Sequence, residues 1–163
     1  MNKILVIGCP GSGKSTFSRA LHNRTGIPLF HLDMMYWNAD KTTVEKSVFL
    51  ERVAAVLEKG EWIIDGNYAS TMEQRMVECD TVFFLDYPLE VCLAGVKARK
   101  GKPRSDMPWI EIEESAEFIR FIKSFNEQQR PKILELLCRY SDKNIIIFTN
   151  REQAEKYLSG ESL

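Results

Sequence analysis

No apolar run in this chain approaches the roughly 18–20 residues needed to span a bilayer. The first such run opens at Ile4 and is broken at Gly8. It does not read as a secretory core segment, so no export signal is assigned and a cytoplasmic location is expected. An excess of one charge is missing too: 22 Lys and Arg stand against 23 Asp and Glu, a formal net charge of −1. So balanced a chain has no global field to draw nucleic acid; no nucleic-acid or membrane partner is expected, and any anion site must be local. The four cysteines, Cys9, Cys79, Cys92 and Cys138, form no CxxC pair, and His22 and His31 are not spaced as their partners. That argues against zinc. Cys79, Cys92 and Cys138 stand among apolar residues and read as buried reduced thiols, whereas Cys9 sits in a glycine-rich stretch open to exposure. Internal repeats, low-complexity tracts and linkers are also absent. With 163 residues the chain has room for one domain, residues 1–163, with a substantial core.

What is present is an alternation of short β-rich runs with helical patterns. Lys3 to Ile7 is a buried-strand run ending at Gly8. Lys14 to Arg24 follows as a helix, with Phe17, Ala20 and Leu21 at helical spacing. Pro28 to Leu32 is a second strand. Thr42 or Thr43 is placed to cap a helix running to Lys59. Trp62 to Asp65 is a third strand, Ala69 to Glu78 a helix, and Thr81 to Leu85 a fourth strand. Pro88 opens a helix toward Arg99. Lys97 to Pro108, with Gly101, two prolines and five basic residues, reads as a mobile basic loop. Helices are expected again from about Ile110 to Ser124 and from Arg130 to Tyr140. Asn144 to Phe148 is a fifth strand, and Glu152 to Leu158 a last helix. Five strands alternating with helices argue for an α/β fold: three layers, a parallel sheet with helices on both faces.

Gly8-Cys9-Pro10-Gly11-Ser12-Gly13-Lys14-Ser15 fits GxxxxGK[ST] at every fixed position, and Thr16 follows. Glycines let the backbone approach a phosphate without a Cβ in the way. The loop N–H groups then converge on the anion, and the next helix presents its positive end. Lys14 would reach the outer phosphates, and the Ser15 hydroxyl would ligate Mg²⁺. A strand before the motif and a helix after it supply the context the motif requires.

Ligands collect at the carboxyl ends of strands in open parallel sheets. His31-Leu32-Asp33, Asp65-Gly66-Asn67-Tyr68 and Asp86 fall there. Asp65 closes an apolar run and is placed to hold water on Mg²⁺, or it is a turn residue. Asp33 could orient an acceptor hydroxyl or cap a helix. His31 reads as a packed histidine and Asp86 as a helix-entry residue. Tyr36 and Trp37 line an acceptor pocket or pack in the core. Arg99 and Arg104, in the basic segment, are suited to meet the charge of a transferring phosphoryl group. Arg120 and Arg130 are weaker candidates.

Together these motifs resemble the adenylate-kinase-like P-loop kinases, and among them the bacterial topology modulation proteins. GCPGSGKST, HLDMMYW, WIIDGNY, FLDYP, RKGKPRSDM and RPKILELL carry the likeness over nearly the whole chain. The resemblance implies sheet order 2-3-1-4-5, ATP with Mg²⁺, and a lid at about residues 97–110 whose Arg99 and Arg104 meet the phosphates. It also implies an acceptor-binding region at about residues 33–60 and adenine near Thr149 to Glu152. Adenylate kinases usually follow the strand-three Asp-Gly with an aromatic, a proline and an arginine. Here the run is Asp65-Gly66-Asn67-Tyr68-Ala69, the nearest arginine is Arg75, and the acceptor region holds only Arg52. The expected activity is phosphoryl transfer from ATP to an unidentified small molecule; the alternative is an ATP-binding regulatory protein that transfers nothing. The acceptor and the oligomeric state stay open.

Overall fold

The computed structural model describes residues 1–161. Its three central strands are β1 (Lys3–Gly8), β3 (Trp62–Asp65) and β4 (Thr81–Leu85), continuous apolar runs that are almost wholly buried. Such runs belong to parallel strands covered on both faces. The edges are β2 (Leu29–His31), half-buried, and β5 (Asn144–Phe148), which exposes Asn144 and Ile147. All pairings are parallel, in the order β2-β3-β1-β4-β5. The register sets His31 opposite Asp65, and Gly8 opposite Leu85. The strand ends therefore share one rim, and the order reverses direction beside β1, which is where open sheets form a ligand crevice.

The helices are α1 (Lys14–Thr25), α2 (Leu32–Tyr36), α3 (Lys46–Leu57), α4 (Ala69–Glu78), α5 (Leu89–Arg99), α6 (Ala116–Gln128), α7 (Arg130–Arg139) and α8 (Arg151–Ser159). The Phe17 ring of α1 lies 5.0 Å from Phe83 and 5.7 Å from Phe148, and Tyr157 of α8 lies 5.1 Å from Phe83. Burying each large apolar side chain there contributes roughly 1.5–3 kcal/mol. This aromatic wedge fixes the helix that carries the phosphate loop. None of the described helices is long and apolar enough to cross a membrane.

Two helices begin later than their patterns predict. α3 starts at Lys46, not at Thr42 or Thr43. The Asp40 carboxylate accepts from both the N–H and the hydroxyl of Thr42, Thr43 bridges to Trp37, and the Val44 N–H donates to Tyr36 O. These donors are spent closing a loop around Lys41, which has φ 68°. α6 starts at Ala116, not at Ile110, because the Ser115 hydroxyl caps the Phe118 N–H at 3.0 Å. The five-residue α2 was not legible as a helix. Two thiols also depart from expectation: Cys138 is exposed and Cys9 is buried.

α5 packs on the phosphate loop backbone to backbone. A Cβ on Gly95 would lie 2.0 Å from the Gly11 carbonyl oxygen, and one on Gly11 would lie 2.0 Å from Cys92 O. Gly95→Ala should therefore push the helix off the loop and cost roughly 1–3 kcal/mol. A urea midpoint equal to that of the parent would disprove this close contact.

Candidate functional site

The phosphate motif folds into a loop between β1 and α1. The Ser12 N–H donates to Cys9 O, while no acceptor in the described chain meets the N–H groups of Gly13, Lys14, Ser15 and Thr16. Four convergent, unpaired donors at a helix start are what a phosphate needs. The Lys14 ammonium donates to Gly8 O at 2.9 Å and Cys9 O at 3.2 Å, spanning the loop. Burial lowers its pKa, against the pull of Asp65 and Asp33. The Ser12 hydroxyl is buried without a partner.

Above the loop lies a cleft of about 1270 Å³. It brings together Pro10, Gly11, Gly13, Lys14, Ser15 and Thr16 with Asp33, Asp65, Arg99 and Arg104. Gly8 and Ser12 lie beneath it and do not line it. The Asn67 amide holds Gly8 in place: its Nδ2 donates to Gly8 O at 2.8 Å, and the Gly8 N–H donates to its Oδ1 at 3.1 Å. Arg151 donates to Gly11 O and Ser12 O, so the segment Thr149 to Glu152 lies against the loop.

On the opposite wall, Asp65 is 6% exposed and the His31 Nδ1 lies 2.9 Å from both its oxygens. His31 is thus bound to the site and is more than a packing residue. The Tyr68 hydroxyl donates to Asp33 Oδ1 at 2.6 Å. Burial raises the Asp33 pKa, with the Tyr68 hydrogen bond and Lys14 opposing it. Tyr68 has φ 35°, unusual for a bulky residue. Arg75 holds that turn. It is 0% exposed, and its guanidinium donates to the carbonyls of Gly66, Asn67 and Tyr68.

Much of the segment 97–110 is exposed, but its two arginines are anchored on carboxylates. Arg99 Nε lies 2.9 Å from Glu111 Oε2, and Arg104 donates to Glu111 at 2.8 Å and to Asp106 at 2.5 and 3.1 Å. Arg19 reaches from α1 to the Ser105 hydroxyl at 3.1 Å, docking the segment on the phosphate-loop helix. Burial disfavours the Asp106 carboxylate, but Arg104 and the Ser15 hydroxyl outweigh it and hold the pKa well below the usual carboxylate range. Asp86 corrects the helix-entry reading: it forms a forked pair with Arg130, with Nε and Nη2 at 2.8 Å from its oxygens. Arg120 is exposed.

Among the described residues, no group of three or more His, Cys, Asp or Glu is arranged to hold a metal by itself. The site nevertheless fits Mg²⁺, which takes few protein ligands and completes its shell with water and substrate phosphates. Ser15 and Asp65 share the cleft beside the unpaired loop amides. Sequence reasoning placed Asn67 at a strand end and Arg151 within Thr149 to Glu152 without giving either a role, and assigned none to Arg75, Asp106 or Glu111; Asp106 is the last position of the R-x-G-x-x-R-x-D run that starts at Arg99.

No protein-family model matches the chain. Adenylate kinases from Thermotoga neapolitana and Thermotoga maritima are each 30% identical to it over 97 residues, 58% of this chain and 43% of theirs. The match therefore spans less than half the length of those curated relatives. Among solved structures, shikimate kinase from Acinetobacter baumannii in complex with shikimate aligns with TM-score 0.64 at 19% identity, covering 98% of this chain and 92% of that one. Shikimate kinase from Bacteroides thetaiotaomicron aligns with TM-score 0.59 at 21% identity, covering 96% and 94%. The structural likeness establishes the fold: a three-layer P-loop NTPase with a five-stranded parallel sheet and helices on both faces. With the sequence likeness it supports, at a coarse level, a kinase-like nucleotide-binding protein.

Asp106 contributes stability through its depressed pKa. That contribution is present above the pKa of an unfolded aspartate and fades as pH falls toward the folded value. Asp106→Ala should cost roughly 1–3 kcal/mol at pH 7, because it strips the half-buried Arg104 of one of its two carboxylate partners. The gap to the parent in denaturant titrations should shrink below about pH 4; a gap that does not change with pH would refute the assignment.

Proposed function

We propose that the chain is an ATP-dependent phosphotransferase acting on a small molecule. The observation that carries this is one cleft with unpaired phosphate-loop amides on one wall, Asp33 on the facing wall and two arginines on the segment above. In this reading residues 1–163 form a single domain, with acceptor contacts from about 33–60 and a lid at about 97–110. The loop amides and Lys14 grip the triphosphate. Ser15 and Asp65 would hold Mg²⁺, which would supply charge neutralisation at the phosphates. Arg99 and Arg104 leave Glu111 and Asp106 to meet the transferring group. Asp33, kept near Lys14 and oriented by Tyr68, takes the proton of the acceptor hydroxyl. The narrower likeness to topology modulation proteins adds no substrate to this reading.

One feature favours the alternative, an ATP-binding regulator: both lid arginines are paired with carboxylates of their own segment. A regulator would bind Mg·ATP with no acceptor-stimulated release of ADP.

Lys14→Ala should abolish Mg·ATP binding in calorimetry; undiminished affinity would sink the reading. Asp33→Asn should leave ATP affinity unchanged and lower transfer roughly 10²–10⁴-fold. Because burial raises the Asp33 pKa, the ionised form opposes folding at neutral pH. Asp33→Asn should therefore raise the thermal midpoint at pH 7, with the gain vanishing in acid. Transfer by the parent should fall off with acid at a pH above the ordinary aspartate range.

A further inference from the structure

The far end of the cleft constrains what receives the phosphoryl group. Phosphate esters and carboxylates are held in enclosed sites by fixed arginines, usually bidentate. The two arginines that sequence places on this side are both committed elsewhere. Arg75 is fully buried and spends its guanidinium on three backbone carbonyls. Arg52 donates to Met35 O at 2.7 Å. The remaining cation on that wall is Lys41, an exposed side chain whose ammonium sits 5.3 Å from the centre of the Trp109 ring. Asp33 and Glu113 line the cleft as well. An anionic acceptor would find no uncommitted arginine on that side among the described residues.

The same wall offers flat apolar surface. Trp37 and Trp109 meet edge to face with centroids 5.8 Å apart, and Tyr36 lies 5.4 Å from Trp37 and 5.0 Å from Tyr68. Trp37, Tyr68 and Trp109 line the cleft. The indole N–H of Trp109 is buried with no acceptor among the described residues, a donor left for a ligand oxygen. Asp33 has one oxygen on Tyr68 and its second uncommitted in hydrogen bonding.

We propose that the acceptor is an uncharged hydroxylated compound with a planar face, of the nucleoside type, and not a phosphate ester or a carboxylate. This rests on the phosphotransferase reading and narrows it. The planar part lies on the Trp37–Trp109 wall, a polar oxygen takes the Trp109 N–H, and a hydroxyl faces Asp33. In transfer the hydroxyl oxygen bonds to the γ-phosphorus and the bond from that phosphorus to the β–γ bridging oxygen breaks. ADP leaves, and the hydroxyl proton passes to Asp33.

The test uses the full chain with its nucleotide site filled by a non-hydrolysable ATP analogue and Mg²⁺. Tryptophan fluorescence is titrated with cytidine and thymidine and, separately, with their 5′-monophosphates; base and sugar are constant and only the anion differs. Trp37 and Trp109 report from the cleft, while Trp62 is buried away from it. The nucleosides should bind at least ten-fold more tightly than their monophosphates, and ADP release from ATP should follow the same order in kcat/KM. Trp109→Leu should weaken nucleoside binding at least ten-fold with Mg·ATP affinity unchanged. Equal or tighter binding of the monophosphates, or no response to either nucleoside at millimolar concentration, overturns the proposal. Tight nucleoside binding without ADP release would count against phosphoryl transfer and leave the neutral acceptor site standing.

Discussion

The side-chain amide of Asn67 joins the two halves of the site. Its paired hydrogen bonds with the Gly8 backbone tie the end of β3 to the first residue of the phosphate loop. Everything on the acceptor side hangs from that tie. Asp65 precedes it on the strand, and Tyr68 follows it in a left-handed conformation that reaches across to Asp33. Arg75 closes the turn from beneath by taking three successive carbonyls. In the proposed reading, so constrained a turn would fix the distance between a triphosphate on one wall and a hydroxyl on the other, the distance on which transfer depends.

Charges of both signs line the cleft, Lys14, Arg99 and Arg104 among the cations and Asp33, Asp65 and Asp106 among the carboxylates. Arg99 and Arg104 are held by Glu111 and Asp106, in partly buried pairs whose attraction must offset the cost of desolvating both charges. A polyanion entering the loop competes for the same guanidinium groups. In the proposed reading, exchange of partners from carboxylate to phosphate would couple nucleotide arrival to rearrangement of the segment, with the buried Asp106 beside Ser15 taking part.

The sheet was legible because its strands are short, apolar and cleanly bounded; β3 and β4 carry the limits read from the pattern. The phosphate loop was legible because its residues are contiguous and each fixed position has a separate physical task. Helix starts were less legible. Thr42 and Thr43 look like caps, yet the Asp40 side chain captures Thr42 for a turn, a competition between local hydrogen bonds that spacing does not decide. In the basic segment the lysines and glycine are exposed, as the composition suggests, but the arginines find acids up to twelve residues away, which spacing does not reveal. Arg75 was passed over because nothing in a helical pattern distinguishes an exposed arginine from one that is fully buried.

By itself the sequence determined the strands, the anion-binding loop and the residue types able to handle a phosphate, because these depend on neighbours in the chain. The tertiary structure decided which charges are free to act. Arg75 and Arg52 are spent on carbonyls, Arg99 and Arg104 on acids, and Asp33 is left facing the loop because distant segments met in folding. Hydrogen bonds and ion pairs are short-ranged, so a charged side chain's role follows from what lies within about 3 Å of it, and spacing along the chain does not reveal that.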